Sequence, residues 1–373
     1  MDNSSYDQTD DILVLDAINK WVEKKVAPVA NDLEKGDIYP EDLVGDMKEL
    51  GLFGALIKPE YGGLGLSAVT YSRIVTRIAK EWMSLTGIFN SHLMMALIVQ
   101  RFGTDNQKEF WLPKFASGEL RGGLALTEPD AGTDLQAIRT TAKRVEDKYF
   151  VSGSKTWITN AIEGDVIALL VKTDPTAQPR YKGMSVLIVT KRNPKTQRPL
   201  AGISNGNRLE KLGYKGIDSG ELIFDNYKCD ANLSLVGGKE GMGFYMVTGG
   251  LEVGRINIAA RSVGIAQRAL EESVQYAQTR KTMGKPICEH QAIQLKLGEM
   301  ATKTRASELL VEDAARKYDG GGRVDMEAGM AKYFASETAL YVATEAMRIH
   351  GGNGYSKEYP IERLYRDAPL MCI

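Results

Sequence analysis

The sequence is poor in the residues from which metal sites and disulfide frameworks are built. Cys229, Cys288 and Cys372 are the three cysteines in 373 residues, and they form no CxxC pair. So sparse a set fits a reducing compartment and argues against a disulfide scaffold. The three histidines, His92, His290 and His350, are equally scattered, with no HxxxH spacing and no Cys/His cluster to suggest zinc. Charge of one sign is also lacking. The formal net charge of −1 provides no basic field to draw in nucleic acid or anionic lipid. No apolar run approaches the roughly 20 residues that span a bilayer. The opening MDNSSYDQTDD is acidic and polar, without the basic-then-apolar pattern of a secretory signal. A cytoplasmic protein with no membrane insertion is expected. No GxGxxG follows a strand, so a Rossmann dinucleotide site is not indicated.

What is present is ordinary globular composition, 43% hydrophobic and 25% charged, in a chain long enough for roughly two or three domains. The first third reads as helical. Leu15, Ile18, Val22 and Val26 recur at helical spacing up to Pro28, and a shorter helix at 41–50 is stopped by Gly51. The turn-rich KPEYGGLGL, Lys58 to Leu66, leads into helical stretches from about 68 to 102. Thr104 and Gln107 then form a capping box ahead of Phe110 and Trp111.

The middle third changes character. Tyr149–Val151, Val166–Val171, Met184–Thr190 and Glu221–Phe224 are short β-branched and aromatic runs separated by Gly, Pro, Asn and Asp. No helix-length segment lies between them, so an antiparallel β region is expected, not βαβ units. The last third is helical again: Ile256, Ala259, Val263, Ala266, Leu270, Val274 and Ala277 follow one face, then Ile293, Leu297 and Met300. Ala331 to His350 contains no Gly or Pro, and Gly320–Gly322 separates two long helices. No internal repeat or low-complexity segment appears.

One segment narrows this order sharply. Ala125-Leu126-Thr127-Glu128-Pro129-Asp130-Ala131-Gly132-Thr133-Asp134 resembles the TEPxxGSD-like signature of acyl-CoA dehydrogenases, with Thr133 where Ser is common. Four further segments agree in the family's order. They are EYGGLGL near residue 60; Trp157-Ile158-Thr159-Asn160; Arg280-Lys281-Thr282-Met283-Gly284; and His350-Gly351-Gly352-Asn353-Gly354-Tyr355 followed by Tyr359-Pro360 and Arg366-Asp367. The resemblance covers essentially the whole chain.

The resemblance implies an α+β, mostly α fold: an N-terminal helical domain (1–120), a middle antiparallel β domain (121–235) and a C-terminal four-helix bundle (236–373), whose final helix is apparently missing. It implies FAD between the β domain and the bundle, near a subunit interface of a homo-oligomer, with a tetramer expected. A flavin accepting hydride needs neutral or positive donors along its pyrimidine edge. The loop from Leu124 through Leu126 and Thr127 to Gly132 and Thr133 would supply backbone N–H groups and hydroxyls there. Trp157 would lie against the ring, with Thr159 beside it. The bland alternative makes Trp157 a core residue and the loop an ordinary turn. Arg280 suits bidentate pairing with a pyrophosphate, which the family places on a neighbouring subunit; otherwise it is a solvated cation favourable to a helix end. Thr282, Met283 and Gln291 belong to the same cofactor set. So do Gly351 and Gly352, which would admit close backbone approach, and Arg348, which stands where many relatives have Gln. Thr133, Glu252, Arg255 and Arg323 match positions around the acyl-CoA, with Arg255 expected at the start of a helix.

The implied reaction is α,β-dehydrogenation of an acyl-CoA thioester to the trans-2-enoyl-CoA, with electrons passed to electron-transferring flavoprotein. Its base would be a carboxylate in a dry pocket that raises its pKa. In most relatives that Glu follows the Arg-Asp-Ala motif, here Arg366-Asp367-Ala368, and by count it lies two residues beyond Ile373. A minority place it where this chain has Gly254. Glu252 matches a common acidic position that is not the base, and Glu128 is not assigned the role. Three readings stay open: a sequence that ends early, a C-terminal helix removed, or a protein acting without the base. Natural loss of a packed helix would expose apolar surface, which disfavours the last. Leu85, where the glutaryl-specific branch has Arg, argues against a dicarboxylate substrate. Phe89, Met94, Met95 and Leu97 suggest an apolar pocket or, equally, core. A related oxidase, or a non-enzymatic scaffold such as a DNA-associated one, is the competing reading.

Overall fold

The computed structural model describes residues 8–193, 196–249 and 251–373. The polar N-terminal heptapeptide lies outside the described residues.

The first third is helical. It runs α1 (Gln8–Trp21), α2 (Ala30–Gly36), α3 (Glu41–Glu49), α4 (Ala68–Phe102) and α5 (Asp105–Ala116). Thr104 and Gln107 make the expected reciprocal capping box at the start of α5. α4 is bent at Trp82, whose backbone leaves helical geometry (φ −154°, ψ 102°). The buried Trp82 indole donates to Glu34 Oε2 at 2.8 Å, which pins the bend. α4 is also the one helix among the described residues with the length and apolarity of a membrane span, which the scan for apolar runs did not anticipate. Its most apolar window is 83% buried inside the protein, as suits a core helix.

The sheet follows: β1 (Gly122–Ala125), β2 (Thr141–Val145), β3 (Lys148–Thr159), β4 (Val166–Lys172), β5 (Met184–Thr190), β6 (Ile203–Arg208) and β7 (Ser219–Asp230). The order β1-β4-β2-β3-β7-β6, with β5 on the far side of β4, makes one seven-stranded sheet. The expectation of an antiparallel region needs correcting: β1 runs parallel to β4 over Gly122–Ala125, and β2 meets β4 in parallel at Thr141. β4 alternates across two cores. Val166, Ala168 and Leu170 face the core shared with the helices, and Ile167, Leu169 and Val171 face a second core under β3 and β7.

After two short helices, α6 (Ala231–Ser234) and α7 (Gly243–Gly249), come α8 (Leu251–Thr279), α9 (Gln291–Asp319), α10 (Asp325–His350) and α11 (Ile361–Cys372). α8 begins four residues earlier than expected, so Arg255 sits in its second turn rather than at its start. Between α8 and α9, β8 (Lys281–Thr282) and β9 (Lys285–Pro286) form a hairpin. Met283 (φ 50°) and Gly284 (φ 80°) at its tip have the positive φ pair of a type I′ turn.

Candidate active site

The segment after β1 is held by a buried ion pair. Lys155, fully buried in β3, donates from Nζ to Leu126 O at 2.9 Å and to Glu128 Oε1 at 2.8 Å. The Glu128 carboxylate also accepts from the backbone N–H of Arg139 (2.6 Å) and Thr140 (3.0 Å). Burial pushes its pKa up, but Lys155 and these donors outweigh burial and hold it below the usual carboxylate range. Burial lowers Lys155 to about 8, against the pull of Glu128. Every strong partner of Glu128 is structural, which agrees with leaving it out of proton transfer.

The same lysine begins a β-bulge. Pairing of β3 with β7 slips between Lys155 and Ile158. Thr156 N–H reaches Thr127 O at 3.0 Å, so loop and bulge are stitched together. The residue turned outward is Trp157, at φ 59° and 59% exposed. A left-handed backbone is costly for an aromatic residue and clusters at functional sites. The core reading of Trp157 is therefore overturned: its indole is a platform presented to solvent. Beyond it, Asn160 (φ 62°) donates from Nδ2 to Ile88 O (3.0 Å) and Gly122 O (2.7 Å). Buried Lys191 holds the carbonyls of Asn160 (2.9 Å) and Ala161. Burial lowers it to about 7, opposed by Asp218. Sequence reading missed both lysines. A lysine two residues before a motif tryptophan was the available signal for Lys155; Lys191 offered none.

Leu124, at the inner end of this loop, also lines an apolar cavity of about 250 Å³. Its other walls are Met94 and Ile98 of α4, Val247, Gly254 and Ile258, with Asn90, Arg255 and Lys332 supplying the polar groups. Arg255 has no hydrogen-bond or ion-pair partner among the described residues. An adjoining cavity of about 320 Å³ shares Ile98 and adds Glu252, Lys58, Leu97, Arg101 and Tyr318. Of the four suspected pocket residues, Met94 and Leu97 line these cavities, while Phe89 and Met95 are core. Arg323 lines neither: it is 88% exposed and paired with Asp325. Leu85 is core. Gly132 and Thr133 are exposed beyond the Glu128 anchor, and Thr159 is half-buried.

The remaining expected cofactor residues gather elsewhere. Arg280 lines a third cavity, about 440 Å³, with Thr279, Tyr276, His350 and Asn353. It carries no ion pair among the described residues. Thr282 Oγ1 is bonded to His290 Nε2 at 3.0 Å, next to the exposed Gln291, and Met283 is 94% exposed at the hairpin tip. Gly351 ends α10 at φ 59°, ψ −136°, a conformation open to glycine, and nothing would crowd a Cβ on Gly352. Arg348 is 65% exposed and paired with Glu345, which also holds Lys296. No residue lining the Arg280 cavity lines the Leu124 cavity. Within one chain the two parts of the expected site are separate.

The donor set fits a flavin: a solvent-presented indole, a loop offering backbone N–H groups beside it, and an unpaired guanidinium. Comparison with known proteins agrees. The chain matches the family models for the acyl-CoA dehydrogenase N-terminal domain (residues 8–119), middle domain (123–227) and C-terminal domain (241–373). It is 39% identical to an acyl-CoA dehydrogenase of Bacillus subtilis over 97% of this chain and 93% of that protein. The structure of an acyl-CoA dehydrogenase from Geobacillus kaustophilus superposes with TM-score 0.92 at 36% identity, covering 99% and 95% of the two chains. A structure described as the electron transferring flavoprotein of Acidaminococcus fermentans gives TM-score 0.92 at 34% identity, covering 100% and 95%.

Proposed function

The chain belongs to the acyl-CoA dehydrogenase family of FAD-dependent oxidoreductases, and from that premise we propose that it oxidises an acyl-CoA thioester to its trans-2-enoyl-CoA. The observation that carries the reading is the continuity at Leu124. One end of the loop lines the apolar cavity, and the other is stitched through Thr127 and Lys155 to the bulge that presents Trp157.

FAD, when bound, supplies the acceptor for the β-hydrogen as hydride. Trp157 walls the ring, and Leu126, Thr127 and Thr159 border it. Backbone N–H groups of the 124–133 loop meet the charge that reduction builds. The acyl chain fills the cavity under Leu124, and water is excluded by Met94, Ile98, Val247 and Ile258. Arg255 faces the thioester end, and Glu252 and Thr133 border the CoA, with Arg323 at its outer edge. The α-proton leaves to a carboxylate base, a role given to none of these residues. Arg280, Thr282, Met283, Gln291, Arg348, Gly351 and Gly352 form the surface that meets the pyrophosphate and adenosine of a neighbouring subunit's FAD. The separation of the two half-sites supports that arrangement and, with it, a homo-oligomer, for which a tetramer is proposed. Electron-transferring flavoprotein is the proposed acceptor, and the cytoplasm the proposed location.

Anaerobic titration of full-length, FAD-loaded protein with a panel of acyl-CoAs tests this. Bleaching by at least one thioester, with reoxidation faster by electron-transferring flavoprotein than by dioxygen, is expected. No bleaching by any member overturns the reading.

A further inference from the structure

The wall of the acyl cavity carries a polar device that oxidation of a plain hydrocarbon chain does not call for. Tyr71, fully buried on α4, donates its hydroxyl hydrogen to Asn90 Oδ1 at 3.1 Å. The same hydroxyl accepts from Asn257 Nδ2, on α8, at 2.9 Å. Asn257 is fully buried, and its Oδ1 has no partner. Burial raises the Tyr71 pKa, so the phenol stays protonated and donating. The relay Asn257–Tyr71–Asn90 thus runs in one direction and ends on the carboxamide of Asn90, a half-buried residue of the cavity wall. Its Oδ1 is occupied, and its Nδ2 has no acceptor among the described residues. Two buried polar groups are committed to aiming one N–H donor.

The position of that donor is informative. Asn90, Met94 and Ile98 line the cavity at successive turns of one face of α4. Ile98 also lines the adjoining cavity that holds Glu252 and Arg101, so the thioester enters from the Ile98 end. Asn90 stands two turns away, about 12 Å along the helix. It meets the distal end of the acyl chain, not the reacting carbons.

Leu85, from which a dicarboxylate was disfavoured, is core and lines neither cavity, so it sets no limit on the charge at this end. Resting on the dehydrogenase reading, we propose that Asn90 selects a short acyl-CoA whose distal end bears a hydrogen-bond-accepting oxygen, as a hydroxyl or a carboxylate. The selection comes from both sides. An oxygenated chain satisfies Nδ2, whereas a hydrocarbon chain leaves it buried and unpaired.

The test compares full-length protein, Asn90→Leu and Tyr71→Phe on unsubstituted, ω-hydroxy and ω-carboxy acyl-CoAs of equal length. Wild type is expected to prefer at least one oxygenated chain by about 10-fold or more in kcat/KM, the size of one buried hydrogen bond. Asn90→Leu should invert or abolish that preference. Tyr71→Phe should weaken it while leaving Asn90 in place, which covers the case in which the leucine variant folds poorly. A hydroxyl preference and a carboxylate preference both support the proposal and identify the oxygen. Equal or better turnover of the unsubstituted chain by wild type, with the ratio unmoved in the variants, overturns it while the dehydrogenase reading stands. Failure of every thioester to bleach the flavin overturns both.

Discussion

Replacing Lys155 by methionine keeps the length of the buried stem and removes its charge and donors. In the native protein that ammonium serves Leu126 O at 2.9 Å and Glu128 Oε1 at 2.8 Å from a fully buried position. The substitution leaves the Glu128 carboxylate with two backbone donors and no counter-charge, at 6% exposure. Breaking one side of a buried pair costs about 3–5 kcal/mol, mostly the penalty of the stranded charge. Adding Glu128→Gln removes the stranded charge and should recover part of that loss: the amide oxygen still accepts one of the two backbone N–H groups, while its NH2 leaves the other unpaired. Urea unfolding followed by far-UV circular dichroism reads the stability. Absorbance of the flavin retained after gel filtration reads the platform. The expected pattern is a large loss of stability and flavin in Lys155→Met, and a partial return of stability in the double variant with flavin still weakly held. A Lys155→Met protein within about 1 kcal/mol of wild type, with its flavin retained, would refute the claim that this pair holds the loop against the bulge.

Other perturbations separate stability from cofactor binding. Trp157→Gly places glycine where φ is 59° and relieves a strain of order 1–3 kcal/mol, so the apoprotein should be at least as stable as wild type. Its FAD affinity should fall about 10-fold or more, since aromatic stacking contributes roughly 1–3 kcal/mol; equal affinity by fluorescence titration would remove Trp157 from the site. Arg280→Ala should lower FAD retention about 10- to 100-fold, the range for a charge-assisted hydrogen bond, and leave urea unfolding of the apoprotein unchanged. His92 donates to Phe115 O from Nε2, accepts the Gly122 N–H at Nδ1, and is lowered to about 4 chiefly by burial. Its folded pKa lies below the unfolded value of about 6.5, so it lowers stability as pH falls from 6.5 towards 4 and has no effect above 6.5, by up to about 3 kcal/mol. Urea midpoints of wild type and His92→Gln at several pH values check this: the acid-side slope should be shallower in the variant.

Much of the architecture was legible because its signals are local. Helical periodicity marked α1, α8 and α9, a run without Gly or Pro marked α10, and the Thr104–Gln107 pair marked the start of α5. β4 and β5 were visible as apolar runs because both faces of each are covered. β2 and β6 were not, since their exposed edges are written in Lys, Arg, Ser and Asn, and β1 is half glycine. The parallel pairing of β1 with β4 depends on contacts between distant segments, which no local pattern encodes. The motif residues of the flavin loop were found by resemblance. Their supports, Lys155 and Lys191, and the relay through Tyr71 and Asn257 were not. Buried polar groups announce themselves only when their partners are known. Arg323, named by the same resemblance, is exposed and paired with Asp325, a contact between near neighbours in sequence that the motif did not specify.

The proposed chemistry requires a flavin held against Trp157. The visible absorbance of purified full-length protein, before and after incubation with FAD and gel filtration, tests it most directly. A yellow protein with about one flavin per chain is expected, its indole fluorescence quenched on binding and less so in Trp157→Phe. A protein that stays colourless after incubation would contradict it.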